Sequence, residues 1–399
     1  MINKTTNLRG KDLSPFSSVM LVAMLVFTWS IQVAAEPIED HYFGATLFVV
    51  QTGNAVSPAV GVNSLVEYES VYGRMSEPEV DHGYQAARLF FANGGQTLFV
   101  IDPQGTEAED FSGALASSVG LPVDLVAIPG AACCSDPLLK HVAIMSALKQ
   151  HVDASPNRFG LIDAPLNSNV DDLQVYRSAF TSEHTAIYAP WLILDGTEPE
   201  ISVTVPPSSA VAGVISRIDR EDGIYSTPAG PPAELNSPPV TQVGREFNNE
   251  ETGSLVSANV NPLGYYISPL VVYVWGGRTT KDDEMRRYVA VSRFLRLLEF
   301  SISQSLNTAL AAPPTANDAS AVEGLIKDYL HGYWQQGALE GVTVNDAYFA
   351  DCAIATYGLK CTVGAAVIRS AEFALIQLVI PYLGGPNPVF IFESGFEEN

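Results

Sequence analysis

The chain has 399 residues, 47% of them hydrophobic and 10% aromatic, so it can bury a sizeable core and is not a disordered chain. Its 44 acidic residues against 21 basic ones give a formal charge of −23. This balance excludes nucleic acid as an expected partner, because phosphate binding needs a clustered basic surface.

The first 35 residues have the pattern of a secretory signal peptide. A basic start precedes a wholly apolar stretch at residues 19–27, and small residues predict cleavage between Ala35 and Glu36. The alternatives are a membrane anchor or a buried first helix, but the apolar stretch has about nine residues where a span needs about twenty. We therefore expect an exported protein, periplasmic or extracellular. Cleavage removes three basic residues and one acidic residue, so the mature charge becomes −25, and we expect no membrane association.

Residues 36–268 are predicted to form a mainly parallel α/β domain. Short β-rich runs alternate with amphipathic segments from residue 46 to about 195, and the runs are TLFVVQ, QTLFVID, VDLVAIPG, RFGLIDAP and TAIYAPWLIL. These runs are apolar almost throughout, as strands covered on both faces are. Between them, HGYQAARLFFANGG and LLKHVAIMSALKQHV have helical periodicity, and Gly94 and Gly95 are expected to end the first helix.

Residues 196–268 are predicted to be an irregular insertion or connection within this domain. One helix is expected after Pro206 and Pro207, where Ser208 and Ser209 are explained as capping residues. The run DREDG at 219–223 lacks the alternating ligands of a calcium loop, so it is interpreted as a solvated turn.

Residues 269–380 are predicted to form an α+β domain, and residues 381–399 an extension or arm. The domain opens with VVYVWGGRTT, which lacks both the Walker and the dinucleotide glycine patterns and is therefore interpreted as a strand-to-helix bend. The strongest helical pattern of the chain follows, with three acidic residues at 282–284 in its expected first turn. A second helix, AVEGLIKDYLHGYW, precedes the β-rich runs DAYFADC, CTVGAAVI and EFALIQLVI.

The four cysteines permit three pairings, and the sequence alone does not choose among them. In an oxidising compartment Cys352 and Cys361 can close a small hairpin by a disulfide. Cys133 and Cys134 are adjacent, so a vicinal bridge, a bond to another subunit and two free thiols all stay open. Metal-ligand spacing does not accompany them, and we expect neither a metal nor a cofactor.

The sequence offers no catalytic constellation, so we expect no enzyme. His82 follows Asp81 and precedes a glycine, as in serine proteases, but the G-x-S-x-G pattern is absent and His82 is interpreted as a surface or capping residue. His141 and His151 are ten residues apart, which is not the spacing of a zinc helix.

A cationic stripe is the other distinctive pattern of the last third. It gathers six basic residues within nineteen positions: Arg278, Lys281, Arg286, Arg287, Arg293 and Arg296. A solvated helix face is one interpretation. The other is an assembly interface that meets an acidic surface on another copy, and then Glu at Arg286, Arg287, Arg293 and Arg296 should abolish assembly while the monomer stays folded.

Several segments together resemble the sheath proteins of contractile phage tails and related contractile injection particles. The resemblance covers residues 46 to 380, and the segments that carry it are LVEYESVYG, QAARLFFANGGQTLFVID, LVAIPGA, RFGLIDAP, YAPWLIL, VPPSSAVAGVISRIDREDGIYSTPAG, VYVWGGRTT with RRYVAVSRFLRLLEFSI, YWQQGALEG and AEFALIQLVI. It implies a subtilisin-like domain without a catalytic triad, a C-terminal sheath domain, and subunits that stack into a helical tube around an inner tube. It also implies terminal arms that add strands to neighbouring subunits.

The chain departs from this family in two places. Sheath proteins usually begin with an extended arm and lack a secretory signal, whereas only about ten residues separate Ala35 from the first strand here. An added C-terminal segment carries residues 389–396, which we expect to dock on the sheet edge of a neighbour. The expected function is thus a self-assembling sheath-like protein, either exported or part of a phage-tail-like particle. The alternative is an exported monomeric α/β binding protein or hydrolase that kept the fold.

Overall fold

A computed structural model describes residues 37–76, 81–130, 138–195, 202–236, 240–265, 271–283, 286–306, 314–356, 358–368 and 373–381. Three of the sequence predictions lie outside these residues: the signal peptide with its cleavage site at Ala35 and Glu36, the pair Cys133 and Cys134, and the arm at 389–396. Among the helices of the described residues, none is both long and apolar enough to cross a bilayer.

The described strands are β1 Ala45–Val49, β2 Thr97–Ile101, β3 Leu125–Ala127, β4 Phe159–Asp163, β5 Thr185–Ala189, β6 Leu192–Asp195, β7 Ser202–Val205, β8 Val240–Val243, β9 Val260–Tyr265, β10 Val272–Val274, β11 Tyr348–Ala355, β12 Gly358–Ala366 and β13 Phe373–Pro381. The described helices are α1 Leu65–Tyr72, α2 His82–Ala92, α3 Ala108–Ser117, α4 Leu138–Ala154, α5 Val170–Arg177, α6 Ser208–Glu221, α7 Asn249–Ser257, α8 Val289–Leu306, α9 Ala316–Gln335 and α10 Val344–Ala347, with a 3₁₀ turn at Pro231–Ala233.

The central sheet has seven strands in the order β10-β9-β5-β4-β3-β1-β2. Every neighbouring pair is parallel except β9 with β10, so the predicted mainly parallel α/β sheet is confirmed. Its two faces separate into two cores. Phe48 of β1 belongs to the core that includes α2 and α6, whereas Leu47 and Val49 belong to the core that includes α3, α4, α5 and α7. The sheet therefore lies between two helical layers, which explains its continuous apolar strands.

The run TAIYAPWLIL does not form one strand. It divides at Pro190 into β5, in the central sheet, and β6, in a separate antiparallel sheet of order β7-β6-β8. Residues 202–265 accordingly contain regular strands and two helices, so the prediction of an irregular region was wrong for most of this segment. It holds for residues 222–236, which contain only the short 3₁₀ turn.

The C-terminal part packs α8 and α9 against a three-stranded antiparallel sheet of order β11-β12-β13. Its core is a third cluster, which includes Phe294, Leu298 and Ile326 from the helices and Val363 from β12. The predicted order of two helices followed by three β-rich runs is confirmed. The first helix, however, starts at Val289, because the acidic residues 282 and 283 precede a segment that bridges back from Tyr288 to Arg278.

Candidate functional site

The WGGRTT turn connects the central sheet to α8. The side-chain oxygen of Asn261 accepts from the Arg278 N–H at 2.7 Å, and its amide donates to the Arg278 carbonyl at 2.7 Å and the Ile187 carbonyl at 3.0 Å. A Cβ added at Gly276 would lie 2.5 Å from the Asn261 oxygen, so only glycine fits there. The Arg278 amide is satisfied internally, which supports the interpretation as a bend and not as a phosphate loop.

The two threonines of the turn attach it to both of its neighbours. Thr279 donates its N–H to the Arg287 carbonyl at 2.6 Å and its hydroxyl to the Arg286 carbonyl at 2.8 Å. Thr280 donates its N–H to the Thr185 carbonyl at 2.8 Å, at the start of β5. Both threonines are fully buried, so the turn fixes how α8 leaves the sheet.

Arg293 on α8 forms a buried ion pair with Asp219 on α6. The guanidinium donates two hydrogen bonds to the two carboxylate oxygens, at 2.9 and 2.5 Å, and the Tyr42 hydroxyl donates to the same carboxylate at 2.8 Å. The Asp219 carboxylate raises the pKa of Arg293, although burial alone would lower it. Three distant parts of the chain therefore meet at one carboxylate. The interpretation of DREDG as a solvated turn was wrong for Asp219.

Arg286 and Arg296 are also internal. Arg286 donates to Glu299 at 2.8 Å and lies 3.7 Å from Glu183, and Arg296 donates to the Val152 carbonyl at 2.8 Å. Burial lowers the pKa of Arg296 to about 10. The exposed fractions of Arg286, Arg293 and Arg296 are 8%, 4% and 5%.

The prediction that the whole cationic stripe faces a neighbouring subunit is therefore wrong for Arg286, Arg293 and Arg296. Arg293 and Arg296 hold α8 against the α/β domain through Asp219 and the Val152 carbonyl. Arg286, just before α8, lies between Glu299 of α8 and Glu183 of the α/β domain. Glutamate at these positions is now expected to unfold the chain. The other three members of the stripe are half-buried, with Lys281 2.8 Å from Glu183 and Arg287 3.9 Å from Asp282. Arg278, Lys281 and Arg287 stay available for contacts with another copy.

The segment 37–44 crosses from the α/β domain to the C-terminal helices. Asp40 accepts hydrogen bonds from the Tyr329 and Tyr333 hydroxyls at 2.6 and 2.8 Å, and the Ser301 hydroxyl accepts from the His41 N–H at 2.9 Å. At its other end Asp124 accepts the Phe43 and Gly44 N–H groups at 3.0 and 2.6 Å. Burial raises the pKa of Asp124 to about 7. This connection was not predictable from local sequence patterns, because the partner residues lie 80 to 293 positions away.

The buried pair Asp163 and Ser208 connects the start of α6 to the end of β4. Ser208 donates both its N–H and its hydroxyl to the Asp163 carboxylate, at 2.8 and 2.6 Å, at the start of α6. His141 contacts the Asp163 backbone carbonyl at 2.9 Å and the Tyr176 hydroxyl at 2.9 Å. No contact between a histidine and Ser208 occurs among the described residues, and Ser208 is fully buried. This cluster fastens α6 to β4 and presents no nucleophile to a substrate.

His82 and His151 also have structural environments. Asp81 caps α2 by accepting from the Tyr84 N–H, so the cap is Asp81 and not the neighbouring His82, which is half-buried. His151 lies 2.6 Å from an Arg158 nitrogen. Groups of three or more His, Cys, Asp or Glu residues able to hold a metal were not found among the residues that the structure describes.

The central sheet and the C-terminal sheet β11-β12-β13 differ in how their edges are covered. The β2 edge of the central sheet is bridged by Val62, which exchanges two hydrogen bonds of 2.9 Å with Leu98. At the opposite edge, Gly230 and Leu235 donate to the Val274 and Val272 carbonyls at 2.8 Å. In the C-terminal sheet, β11 pairs only with β12 among the described strands. The Tyr348 N–H at the start of β11 donates to the Val344 carbonyl, but an edge without a partner strand can accept another strand.

A disulfide fastens the β11 edge strand to the centre of its sheet. Cys352 and Cys361 are directly opposite in the β11–β12 register, and their sulfurs are bonded at 2.05 Å. Cys361 is fully buried, whereas Cys352 is half-buried and the distal part of β11 is largely exposed. The covalent bond therefore holds a part of β11 that side-chain burial holds weakly.

No family model matches the sequence, and no curated protein matches it. Solved structures do match over nearly the whole chain. The sheath of an extracellular contractile injection system in its contracted state, titled PVC sheath complex, aligns with a TM-score of 0.67 at 21% identity, covering 93% of this chain and 97% of that one. The contracted helical sheath of the anti-feeding prophage gives 0.70 at 23% identity, with 92% and 98% covered.

A sheath tail protein from Listeria innocua aligns with a TM-score of 0.64 at 11% identity, covering 84% of this chain and 94% of that one. All three likenesses cover at least 84% of this chain, so each includes parts of both the α/β domain and the C-terminal part. The chain therefore has the fold of contractile-tail sheath proteins.

We predict that Arg293→Met lowers the free energy of unfolding by about 3 to 5 kcal/mol, because it leaves the Asp219 carboxylate buried without its cation. Urea denaturation of the purified chain measures this. Arg287→Met removes a half-buried arginine from the same stripe and should cost less than about 1 kcal/mol. Equal losses for the two variants would contradict the internal role of Arg293.

The buried carboxyl of Asp163 predicts a pH dependence. Burial raises its pKa to about 7, so the folded chain keeps this proton between about pH 4 and 7 whereas the unfolded chain has released it. Stability should fall as pH rises through this window, and Asp163→Asn should remove up to about 4 kcal/mol of that fall. Denaturation at pH 4.5 and 7.5 tests this. Asp328→Asn, at an exposed site on α9, should leave the slope unchanged.

Replacing both Cys352 and Cys361 by serine should lower the free energy of unfolding by about 2 to 3 kcal/mol, the usual effect of opening a loop of this length. Thermal denaturation without reductant measures the loss. The control is Cys133→Ser with Cys134→Ser, which leaves the hairpin bond intact. Dithiothreitol should lower the melting temperature of this control, which keeps the hairpin bond, but not that of the hairpin variant. Equal shifts in both would show that the stabilising bond lies elsewhere.

Proposed function

We propose that this protein is a structural subunit that self-assembles into a helical tube or filament, as the sheath proteins of contractile particles do. The observation that carries the proposal is the extent of the likeness, which covers 92–93% of this chain and 97–98% of two contractile-particle sheath chains. The shared fold supports the proposal because it extends over nearly the whole length of both chains. A contractile sheath around an inner tube is the specific assembly that we propose.

A non-enzymatic role fits the interior of the α/β domain. We regard this domain, residues 36–268, as a subtilisin-like fold without a triad, followed by a sheath domain at 269–380. Supporting this, Ser208 is buried and its hydroxyl is occupied by Asp163, while His141 is engaged with a backbone carbonyl. A fully buried hydroxyl cannot reach a substrate carbonyl, which supports a structural role for Ser208.

The β11 edge is the surface that we assign to assembly. Central-sheet edges are bridged by residues of the same chain, whereas β11 pairs only with β12 among the described strands. An extended segment from another copy can continue such an edge through main-chain hydrogen bonds. We propose that residues 389–396 supply this segment, and that Arg278 and Arg287 add contacts between copies.

We further propose that the protein is exported through the signal peptide at residues 1–35. The Cys352–Cys361 disulfide supports this, because such bonds persist in oxidising compartments. The tube would then form in the periplasm or outside the cell. The other location is the sheath of a phage-tail-like particle.

Electron microscopy of the purified mature chain, with sedimentation velocity on the same sample, tests the proposal. Ordered tubes or filaments of uniform diameter are the expected result. A single monomeric species at every concentration would contradict self-assembly and favour an exported α/β binding protein or hydrolase.

Deleting residues 384–399 should shorten or abolish the polymers, since it removes the segment that we assign to the β11 edge, while β13 stays complete at Pro381. Polymer length measured on micrographs is the readout. A chain in which the eight residues 389–396 are scrambled keeps the length and composition of the tail and should fail in the same way. Polymers of unchanged length would show that the tail is dispensable.

A further inference from the structure

The outer edge of β11 carries a side-chain contact that strand pairing does not explain. The Cys352 N–H donates to the carboxylate of Glu323 on α9, at 3.3 Å. Because this N–H points to α9, it points away from β12, and the Cys352–Cys361 pair is a non-hydrogen-bonded pair of the ladder. Ala350 and Ile354 lie two residues before and after Cys352, so their N–H groups also point away from β12. Of these three outward N–H groups, the middle one, that of Cys352, is bonded to Glu323.

Glu323 is held in this position by its own helix. Lys327, one turn further along α9, donates to the other carboxylate oxygen at 2.5 Å. This hydrogen bond and the main-chain donor lower the pKa of Glu323, so the group is ionised at neutral pH. One oxygen therefore faces Lys327 and the other faces the edge strand.

We propose that Glu323 guards the β11 edge and is the residue that an added strand must displace. The proposal rests on the self-assembly proposed above and names the strand as an extended segment of a second copy. To continue the sheet, a carbonyl of that segment must accept the Cys352 N–H in place of Glu323. Until then, the carboxylate repels incoming carbonyl oxygens, and charge near an exposed edge is a common protection against unwanted strand pairing.

The guard can be displaced at low cost. Glu323 and Lys327 are four residues apart and half-buried, and ion pairs of this kind are weak because water screens them. The guard therefore slows the first strand addition and does not forbid it.

Replacing Glu323 or Lys327 by alanine changes the net charge in opposite directions, but the predicted effect on assembly is the same. Glu323→Ala removes a negative charge from an acidic chain, and Lys327→Ala removes a positive one, but both release the edge. We expect faster assembly from both, by roughly fivefold for Glu323→Ala and roughly twofold for Lys327→Ala. Light scattering of the full mature chain measures the rate, and micrographs confirm that the same polymer forms.

The control is Asp328→Ala, which removes a negative charge from an exposed position on the same helix and should leave the rate unchanged. Hydrogen exchange of the unassembled chains adds a readout of the contact itself. The Cys352 amide should exchange faster in Glu323→Ala than in the natural chain, with melting temperatures unchanged.

Three outcomes would overturn the guard. Equal rates in the natural chain and both variants would show that Glu323 does not limit strand addition, while self-assembly itself would stand. Faster assembly in Glu323→Ala and Asp328→Ala with slower assembly in Lys327→Ala would assign the effect to net charge. If neither the natural chain nor any variant assembled, the self-assembly would be wrong, and the guard would fall with it.

Discussion

The structure depends most on the buried pairing of Arg293 with Asp219. A buried guanidinium is costly unless its donors are satisfied, and here both of its terminal nitrogens bond to one carboxylate that also accepts from Tyr42. These residues belong to α8, α6 and the N-terminal segment 37–44. The ion pair therefore fixes the C-terminal helices against the α/β domain. Because Asp219 lies on the helix that begins at the Asp163–Ser208 pair, the orientation of α8 is linked to the central sheet through one rigid element.

The sequence predicted elements whose signal is local. The apolar runs of β1 to β5 follow from burial on both faces, and Gly94, with a φ of 98°, ends α2 as expected. The start of α8 was predicted seven residues too early, because acidic residues 282–284 imitate a helix first turn. The bridge between Arg278 and Tyr288 prevents a helix there, and such a tertiary contact leaves no local pattern.

The candidate site was predictable only in part. Opposite cysteines in a predicted hairpin are a local feature, and the structure places them in register. The role of the arginine stripe was not predictable. Charged residues at every third or fourth position indicate a solvated helix face unless their partners are known. Asp219 and Glu299 are those partners, and no spacing rule relates Asp219 to α8. The guard at Glu323 had no sequence signal, because a Glu–Lys pair at this spacing is common on exposed helices.

Burial of the arginines also constrains how copies of this chain can meet. The formal charge is −23 before any signal cleavage, and Arg158, Arg286, Arg293 and Arg296 are inside the fold, so the accessible surface is even poorer in cations than the composition suggests. Like-charged surfaces repel, and charge complementarity between copies is then a weak basis for assembly. Main-chain hydrogen bonding at a strand edge does not depend on the sign of side-chain charge. This chain places its arginines between its two domains and leaves the outer edge of β11 without a partner strand among the described strands. The interactions that fold the subunit are therefore different from those that we assign to its contact with the next copy.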